Sequence, residues 1–254
     1  MKFASTITPE YSQVWIDFDG TISQRDVLDD LILRYAKNES WRLIEERWAA
    51  GVIGSHECLR QEFALLRVSS QELEDFVRTV PIDPGFAPLV KLLHTLNVPM
   101  AILSDGIGRF INTILSQNGI SGVPVLANSL VHRGEQLILK CHRSGKGCES
   151  RAAHCKCQSA ERIGSRDKTT IYIGDGRSDL CPAAKADVVF AKGVLAKELA
   201  HRLIPFIAYR DLTDVVAALE GAWRQTAPTS AHPPLVAHGL KVSATAADRR
   251  SAAR

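Results

Sequence analysis

Val14-Trp15-Ile16-Asp17-Phe18-Asp19-Gly20-Thr21 decides how the rest of this chain is read. Three apolar residues, two of them β-branched, run straight into two carboxylates, a glycine and a threonine. The pattern predicts a buried strand whose carboxyl end turns tightly into an acidic loop. In open α/β sheets, ligand crevices form outside the carboxyl ends of strands. Asp17 and Asp19 carry like charges one residue apart and repel each other unless a cation lies between them. Mg²⁺ suits a site with few carboxylates plus phosphate oxygens. Taken alone, the same residues fit an ordinary polar turn, and only the other strand ends of the chain decide between turn and site.

From Ser23 to about Val80 the apolar spacing is helical throughout. Val27, Leu28, Leu31, Ile32 and Tyr35 form one face behind a Ser23 cap. Trp41, Ile44 and Trp48 mark a second helix, and Leu59, Phe63 and Leu66 a third. Leu73, Phe76, Val77 and Val80 follow the capping box Ser69-x-x-Glu72. So much helix is too long for a simple crossover and predicts a helical subdomain inserted over the strand ends. Asp83-Pro84-Gly85 is the return, followed by a helix with Phe86, Leu89, Leu93 and Leu96 on one face.

Val98 to Leu103 reads as a second buried strand ending at Ser104-Asp105-Gly106, with a helix after it (Ile107, Phe110, Ile111, Ile114). A hydroxyl there, beside a helix N-terminus, suits a phosphate oxygen; it also suits a plain helix cap. Val123 to Ala127 is a third strand, and residues 129–140 a hairpin turning near Arg133-Gly134-Glu135. Thr169 to Ile173 is a further strand, ending in Gly174-Asp175-Gly176-Arg177-Ser178-Asp179. Val188 to Ala191 and Ile204 to Ile207 are shorter candidates, and Leu212, Val215, Leu219 and Trp223 mark a closing helix. The expected fold class is α/β, a doubly wound, mostly parallel sheet with an inserted helical cap. Its expected parts are a core of residues 12–22 and 83–225, a cap of 23–82, and a disordered tail of 226–254 that is polar and aperiodic.

The 254 residues are 45% hydrophobic and 23% charged, ordinary for a globular protein. The formal charge of +3 resides in the tail, where Lys241, Arg249, Arg250 and Arg254 face Asp248 alone. The body is then formally neutral, and no basic stripe points to nucleic acid. No apolar run approaches a membrane span, and residues 1–12 hold no apolar core of a secretory signal. Six cysteines in a chain of this length predict free or metal-bound thiols in a reducing cytoplasm rather than a disulfide framework.

Strand ends at Asp17/Asp19, Ser104 and Asp175/Asp179, with Lys156 between the last two, occur in an order that resembles the haloacid dehalogenase superfamily of phosphatases. Asp-Phe-Asp-Gly-Thr resembles its first motif, Ser104 its second, Lys156 its third, and Gly174-Asp-Gly-Arg-Ser-Asp179 its fourth. Lys140, Lys146 and Lys168 are rivals for the third. The resemblance spans residues 12–225 and implies an Mg²⁺-dependent phosphomonoester hydrolase. It implies Asp17 as nucleophile and Asp19 as general acid and base. It places Ser104 and Lys156 on the phosphoryl oxygens, and Asp17, the Asp19 carbonyl, Asp175 and Asp179 around the metal. Thr21, Asp26, Asp105 and Gly106 are the accompanying substrate-binding candidates. Asp179 would orient Lys156 or a metal-bound water; as a plain residue it would cap the next helix.

The cap resembles that of phosphoserine phosphatases, in which a glutamate near the Asp26 position meets the substrate amine. A closer resemblance is to the 2-hydroxy-3-keto-5-methylthiopentenyl-1-phosphate phosphatases of methionine salvage. It rests on Pro84-Gly85-Phe86, on Cys141-His142, Cys148 and Cys155-Lys156, and on Val189-Phe190-Ala191-Lys192. Ser104-Asp105-Gly106 departs from the Ser-Gly-Gly of that family and adds a carboxylate. The expected substrate is thus a small phosphorylated metabolite, from methionine salvage or, alternatively, phosphoserine, phosphoethanolamine or phosphocholine. A non-catalytic, metal-binding descendant is the rival from another class. Finally, Cys141, His142, Cys148, His154, Cys155 and Cys157 lie within a stretch of low apolar content, which suggests a structural Zn²⁺.

Overall fold

The computed structural model describes residues 7–133, 136–141 and 151–226. The tail, apart from Thr226, lies outside the described residues, as do His142 and Cys148. Seven strands among the described residues form one sheet: β1 (Ser12–Ile16), β2 (Met100–Ile107), β3 (Val125–Arg133), β4 (Gln136–Lys140), β5 (Thr169–Gly174), β6 (Val188–Ala191) and β7 (Ile207–Ala208). Their order is β4-β3-β2-β1-β5-β6-β7, parallel throughout except for the β3–β4 hairpin. The chain builds leftward from β1 to β4, then crosses to β5 and builds rightward. That reversal beside β1 is where a crevice opens in a doubly wound sheet.

Register makes the crevice specific. Ile16 pairs with Ile102 on one side and Ile173 on the other, so the residues after each emerge along one edge. Side chains alternate between the two faces. Val14, Ile16, Ile102, Ile171 and Ile173 belong to the larger core, while Trp15, Ala101, Leu103, Tyr172 and Val189 belong to a second core on the opposite face. Each of the larger side chains so buried contributes about 1.5–3 kcal/mol, which fixes the strand ends as a rigid floor.

After β1 come α1 (Val27–Tyr35), α2 (Ser40–Ala49), α3 (Ser55–Leu65) and α4 (Ser70–Arg78). The Ser69–Glu72 capping box is present at α4, with Glu72 N–H donating to Ser69 Oγ and Ser69 N–H donating to Glu72. The cap of α1 differs from expectation. Asp26, not Ser23, accepts the Leu28 and Asp29 N–H bonds, while the Ser23 hydroxyl donates to the carbonyls of Phe18 and Arg25. The carboxylate of Asp26 reaches two amides at once, a geometry a serine three residues earlier cannot match.

The two crossings between these helices and the sheet run side by side. Ser23 bridges Ile82, Gln24 N–H donates to Pro81 O, and Asp83 N–H donates to Ile22 O at 2.7 Å. Asp83 is buried and accepts from the amides of Gly85 and Leu212. It thereby ties the return to the start of α10 (Leu212–Thr226). The remaining helices are α5 (Phe86–Thr95), α6 (Gly108–Gln117), α7 (Lys156–Ile163), α8 (Leu180–Ala183) and α9 (Gly193–His201). No helix among the described residues is long and apolar enough to cross a membrane.

Candidate active site

Asp17 leaves the carboxyl end of β1 directly, its N–H donating to Ile173 O. Lys156, the first residue of α7, reaches under it: Nζ lies 2.6 Å from Asp17 Oδ1, 2.6 Å from Asp179 Oδ1 and 3.0 Å from Ser178 Oγ. The Lys156 side chain is 2% exposed. Among the described candidates Lys140, Lys156 and Lys168, Lys156 therefore meets the acidic residues; Lys146 lies outside the described residues. Asp179 is held by four donors, because Tyr172 Oη donates to Oδ1 while the amides of Asp175 and Gly176 donate to Oδ2. Its carboxylate thus bonds backward to its own loop and to Lys156 instead of capping the following helix.

Charge in this nest follows from burial. Desolvation raises Asp17 well above the ordinary carboxylate range, and Asp179, Asp175 and Asp19 add to it against the opposing Lys156. Burial would also raise Asp179, but Lys156 and the hydroxyl and amide donors hold it below its usual value. Burial would lower Lys156, yet Asp17, Asp179 and Asp105 together keep it firmly protonated. Asp19 is pushed to about 8 by burial and then by Asp26. A carboxyl near that value is suited to exchange protons around neutrality.

Asp19 points the other way from Asp17. Its Oδ1 accepts from Val27 N–H at 3.1 Å and its Oδ2 from the Ser104 hydroxyl at 3.2 Å. Ser104 in turn accepts from Gly106 N–H at 2.8 Å. The sequence suggested that β2 stops before Ser104 and that Ser104 could cap a helix. Instead β2 continues to Ile107, which occupies the N-cap position without a side-chain bond, so Ser104 is held by Gly106 and Asp19. Gly106 is required by space, since a Cβ there would stand 2.8 Å from Asp19 Oδ2. Asp105 faces the cavity, accepts from His154 N–H at 2.6 Å, and is raised by burial to about 6.

Oxygen atoms of Asp17, Asp175 and Asp179 lie within 4.8 Å of one another, a set able to hold a metal ion; the Asp19 carboxylate is not part of it. All the donors are carboxylate oxygens, the chemistry preferred by a hard cation such as Mg²⁺. Thr21 was expected to meet substrate. It is fully buried, and its hydroxyl donates to Asp175 Oδ1 at 2.9 Å, so it positions a carboxylate instead. Gly20, at φ +73°, makes the turn that permits this, because a Cβ would meet Asp175 Oδ2 at 2.4 Å.

A cavity of about 180 Å³ opens above these residues, lined by Asp17, Asp19, Asp105, Gly106, Lys156 and Asp175 from the sheet side and by Asp26 at the start of α1. Glu45, Trp48, Cys58 and Glu62 line it from α2 and α3. The end of α2 meets the rest of the chain through Arg177, which donates to Ala49 O at 3.1 Å, and Arg151, which donates to Gly51 O at 2.6 Å. Sequence reasoning missed Tyr172, Ser178 and the cap-side residues. Tyr172 reads as a core aromatic inside a strand, and nothing local announces that its hydroxyl reaches Asp179.

The structural zinc expected at Cys141, His142, Cys148, His154, Cys155 and Cys157 is not supported. Among the described residues none of these falls in a group able to hold a metal. His154 Nε2 is 2.8 Å from Ser159 Oγ, and the Cys157 thiol meets Cys181, a residue outside the expected set. Order around Lys156 comes from burial instead: Ala152, Ala153, Cys155 and Cys157 are all packed inside.

Family and fold define a phosphoric monoester hydrolase built on a doubly wound α/β sheet. The family model described as Putative Phosphatase matches residues 13–199, and the chain belongs to that family. The chain is 29% identical over 210 residues to a 2-hydroxy-3-keto-5-methylthiopentenyl-1-phosphate phosphatase from Brevibacillus brevis, covering 82% of this chain and 94% of that one. A protein of the same name from Geobacillus kaustophilus is 28% identical over 210 residues, with the same coverage. Among solved structures, a substrate-bound phosphoserine phosphatase shares the fold at a TM-score of 0.60 and 22% identity, covering 82% of this chain and 98% of that one.

Proposed function

We propose that the chain hydrolyses a small phosphomonoester in two steps through an aspartyl-phosphate on Asp17. The observation that carries this reading is the buried Lys156 bridge to Asp17 and Asp179 at the ends of adjacent strands. The Asp17 carboxylate attacks phosphorus and the bond to the leaving oxygen breaks. Asp19 donates its proton to that oxygen, then takes one from the water that cleaves the aspartyl-phosphate. The Ser104 hydroxyl and the Lys156 ammonium donate to equatorial phosphoryl oxygens, where charge spreads in the transition state. Asp179, Tyr172 and Ser178 hold Lys156 in place, and Thr21 holds Asp175. Asp17 and Asp175, with the Asp19 carbonyl, would hold Mg²⁺, which when bound neutralises the negative charge gathered on carboxylates and phosphate.

The substrate proposed first is 2-hydroxy-3-keto-5-methylthiopentenyl 1-phosphate, after the names of the two bacterial relatives. A phosphomonoester bearing an amine is the second reading. One observation favours it: Asp26, Asp29 and Asp105 line the cavity, whereas its basic lining residues, Lys156 and Arg177, are engaged with Asp17 and Ala49. The test has two stages. Turnover of an aryl phosphate that requires Mg²⁺ and stops with EDTA separates an enzyme from a non-catalytic descendant. Then kcat/KM is compared across the methylthio ester, phosphoserine, phosphoethanolamine and phosphocholine. Absence of turnover in the first stage would end the hydrolase proposal for this chain.

A further inference from the structure

The cap wall of the cavity carries a cluster that the hydrolytic reading leaves unused. Cys58 and Glu62 stand one turn apart on α3, a spacing that puts both on one face. Glu45 reaches them from α2, and one ligating atom from each of the three lies within 4.8 Å of the others. Glu62 is 3% exposed; its side chain meets Glu45 and Cys58, and its Oε1 has no hydrogen-bond partner outside that cluster. Cys58 is equally enclosed, packed with Ile44 and Ile53. A buried carboxyl oxygen without a partner is costly unless something that binds it enters from the cavity.

We propose that Glu45, Cys58 and Glu62 form a second, cap-borne cation site for a divalent transition ion of the Zn²⁺ or Co²⁺ kind. The donor set argues the choice. One sulfur and two oxygens suit borderline ions, whereas Mg²⁺ and Ca²⁺ take oxygen alone. Three protein ligands with the fourth side open to the cavity is the pattern of a zinc site that keeps an exchangeable position. Charge agrees. Burial and then Glu45 raise the Glu62 carboxyl to about 8, and burial with Glu62 and Glu45 pushes the Cys58 thiol far up. An arriving dication expels the thiol proton and any proton on Glu62 and forms the metal–sulfur bond, so binding releases protons to solvent. The ion would join α2 to α3 on the side of the cap that faces Asp17.

Co²⁺ is the probe. The full-length chain is stripped with chelator, saturated with Mg²⁺ at the all-oxygen site, and titrated with Co²⁺. The expected result is a near-ultraviolet sulfur-to-cobalt absorption saturating at one ion per chain. It disappears in Cys58→Ser, persists in Cys157→Ser, and saturates at least ~10-fold later in Glu62→Gln. Zn²⁺ should raise the melting temperature of the native chain and displace the cobalt band. If Cys58→Ser fails to fold, Glu45→Gln, on the half-buried ligand, supplies the same comparison through weakened binding. A native chain without the band, or a band that survives Cys58→Ser, overturns the proposal. So does a titration in which only an ammonium-bearing phosphate ester binds the cluster.

Discussion

Replacing Lys156 with methionine isolates the energetics of the site. Methionine keeps most of the aliphatic volume and removes the ammonium that touches Asp17 and Asp179 at 2.6 Å each. Both carboxylates are buried, so water cannot take over the lost interactions. Removing one member of a buried ionic cluster costs about 3–5 kcal/mol. In a domain of this size each kcal/mol lowers the melting temperature by about 2–4 °C, so the metal-free variant should melt roughly 6–20 °C below the parent. Two further results follow from the same reasoning. Adding Asp179→Asn to Lys156→Met should recover part of the loss, because one of the stranded charges is removed. Mg²⁺ should narrow the gap, because a cation replaces the missing one. Scanning calorimetry in EDTA and in Mg²⁺ measures all three. A loss of less than about 1 kcal/mol in EDTA, or a double variant no more stable than Lys156→Met alone, would refute the view that Lys156 is paired with these two buried carboxyl groups.

Asp17→Asn should retain the circular dichroism and melting of a folded chain while losing at least ~10³-fold in turnover, since the amide is nearly isosteric but a poor nucleophile. Gly20→Ala should weaken Mg²⁺ activation and turnover together, because its Cβ displaces Asp175 and its φ of +73° disfavours any side chain; unchanged Mg²⁺ dependence would contradict this. Stability of the metal-free chain should fall from about pH 5 to pH 8. Asp19, Asp29, Asp105 and Asp175 are raised to about 8, 7, 6 and 6 in the folded chain. Over that range the folded state binds more protons than the unfolded one, so ΔG of unfolding has a negative slope with pH. Melting temperatures in EDTA that stay level or rise across this window would count against it.

What the sequence disclosed was whatever depends on local pattern. Val14 to Ile16, Val98 to Leu103 and Thr169 to Ile173 are apolar runs that stop at polar residues, so the strands and the edge they share could be read directly. The four cap helices were legible from spacing, and Ser69–Glu72 from its motif. The polar wiring was not. Thr21 and Tyr172 each place a hydroxyl on a carboxylate 154 and 7 residues away, and only the register of β1 against β5 brings the first pair together. The zinc expectation lacks support for a related reason: counting cysteines and histidines cannot reveal that Cys155 and Cys157 are packed inside at the head of a helix. Cys58 and Glu62 escaped notice because a thiol and an acid four residues apart read as an ordinary amphipathic helix until α2 sets Glu45 beside them.

The paired crossing at Ser23 and Ile82 has an evolutionary consequence. Because both ends of the cap leave the sheet next to each other, its length and sequence can change without moving either strand end. A lineage can therefore remodel the α2–α3 wall of the cavity while leaving the carboxylate floor at the strand ends untouched. New specificities become reachable by substitution, insertion or exchange within one contiguous segment of the gene.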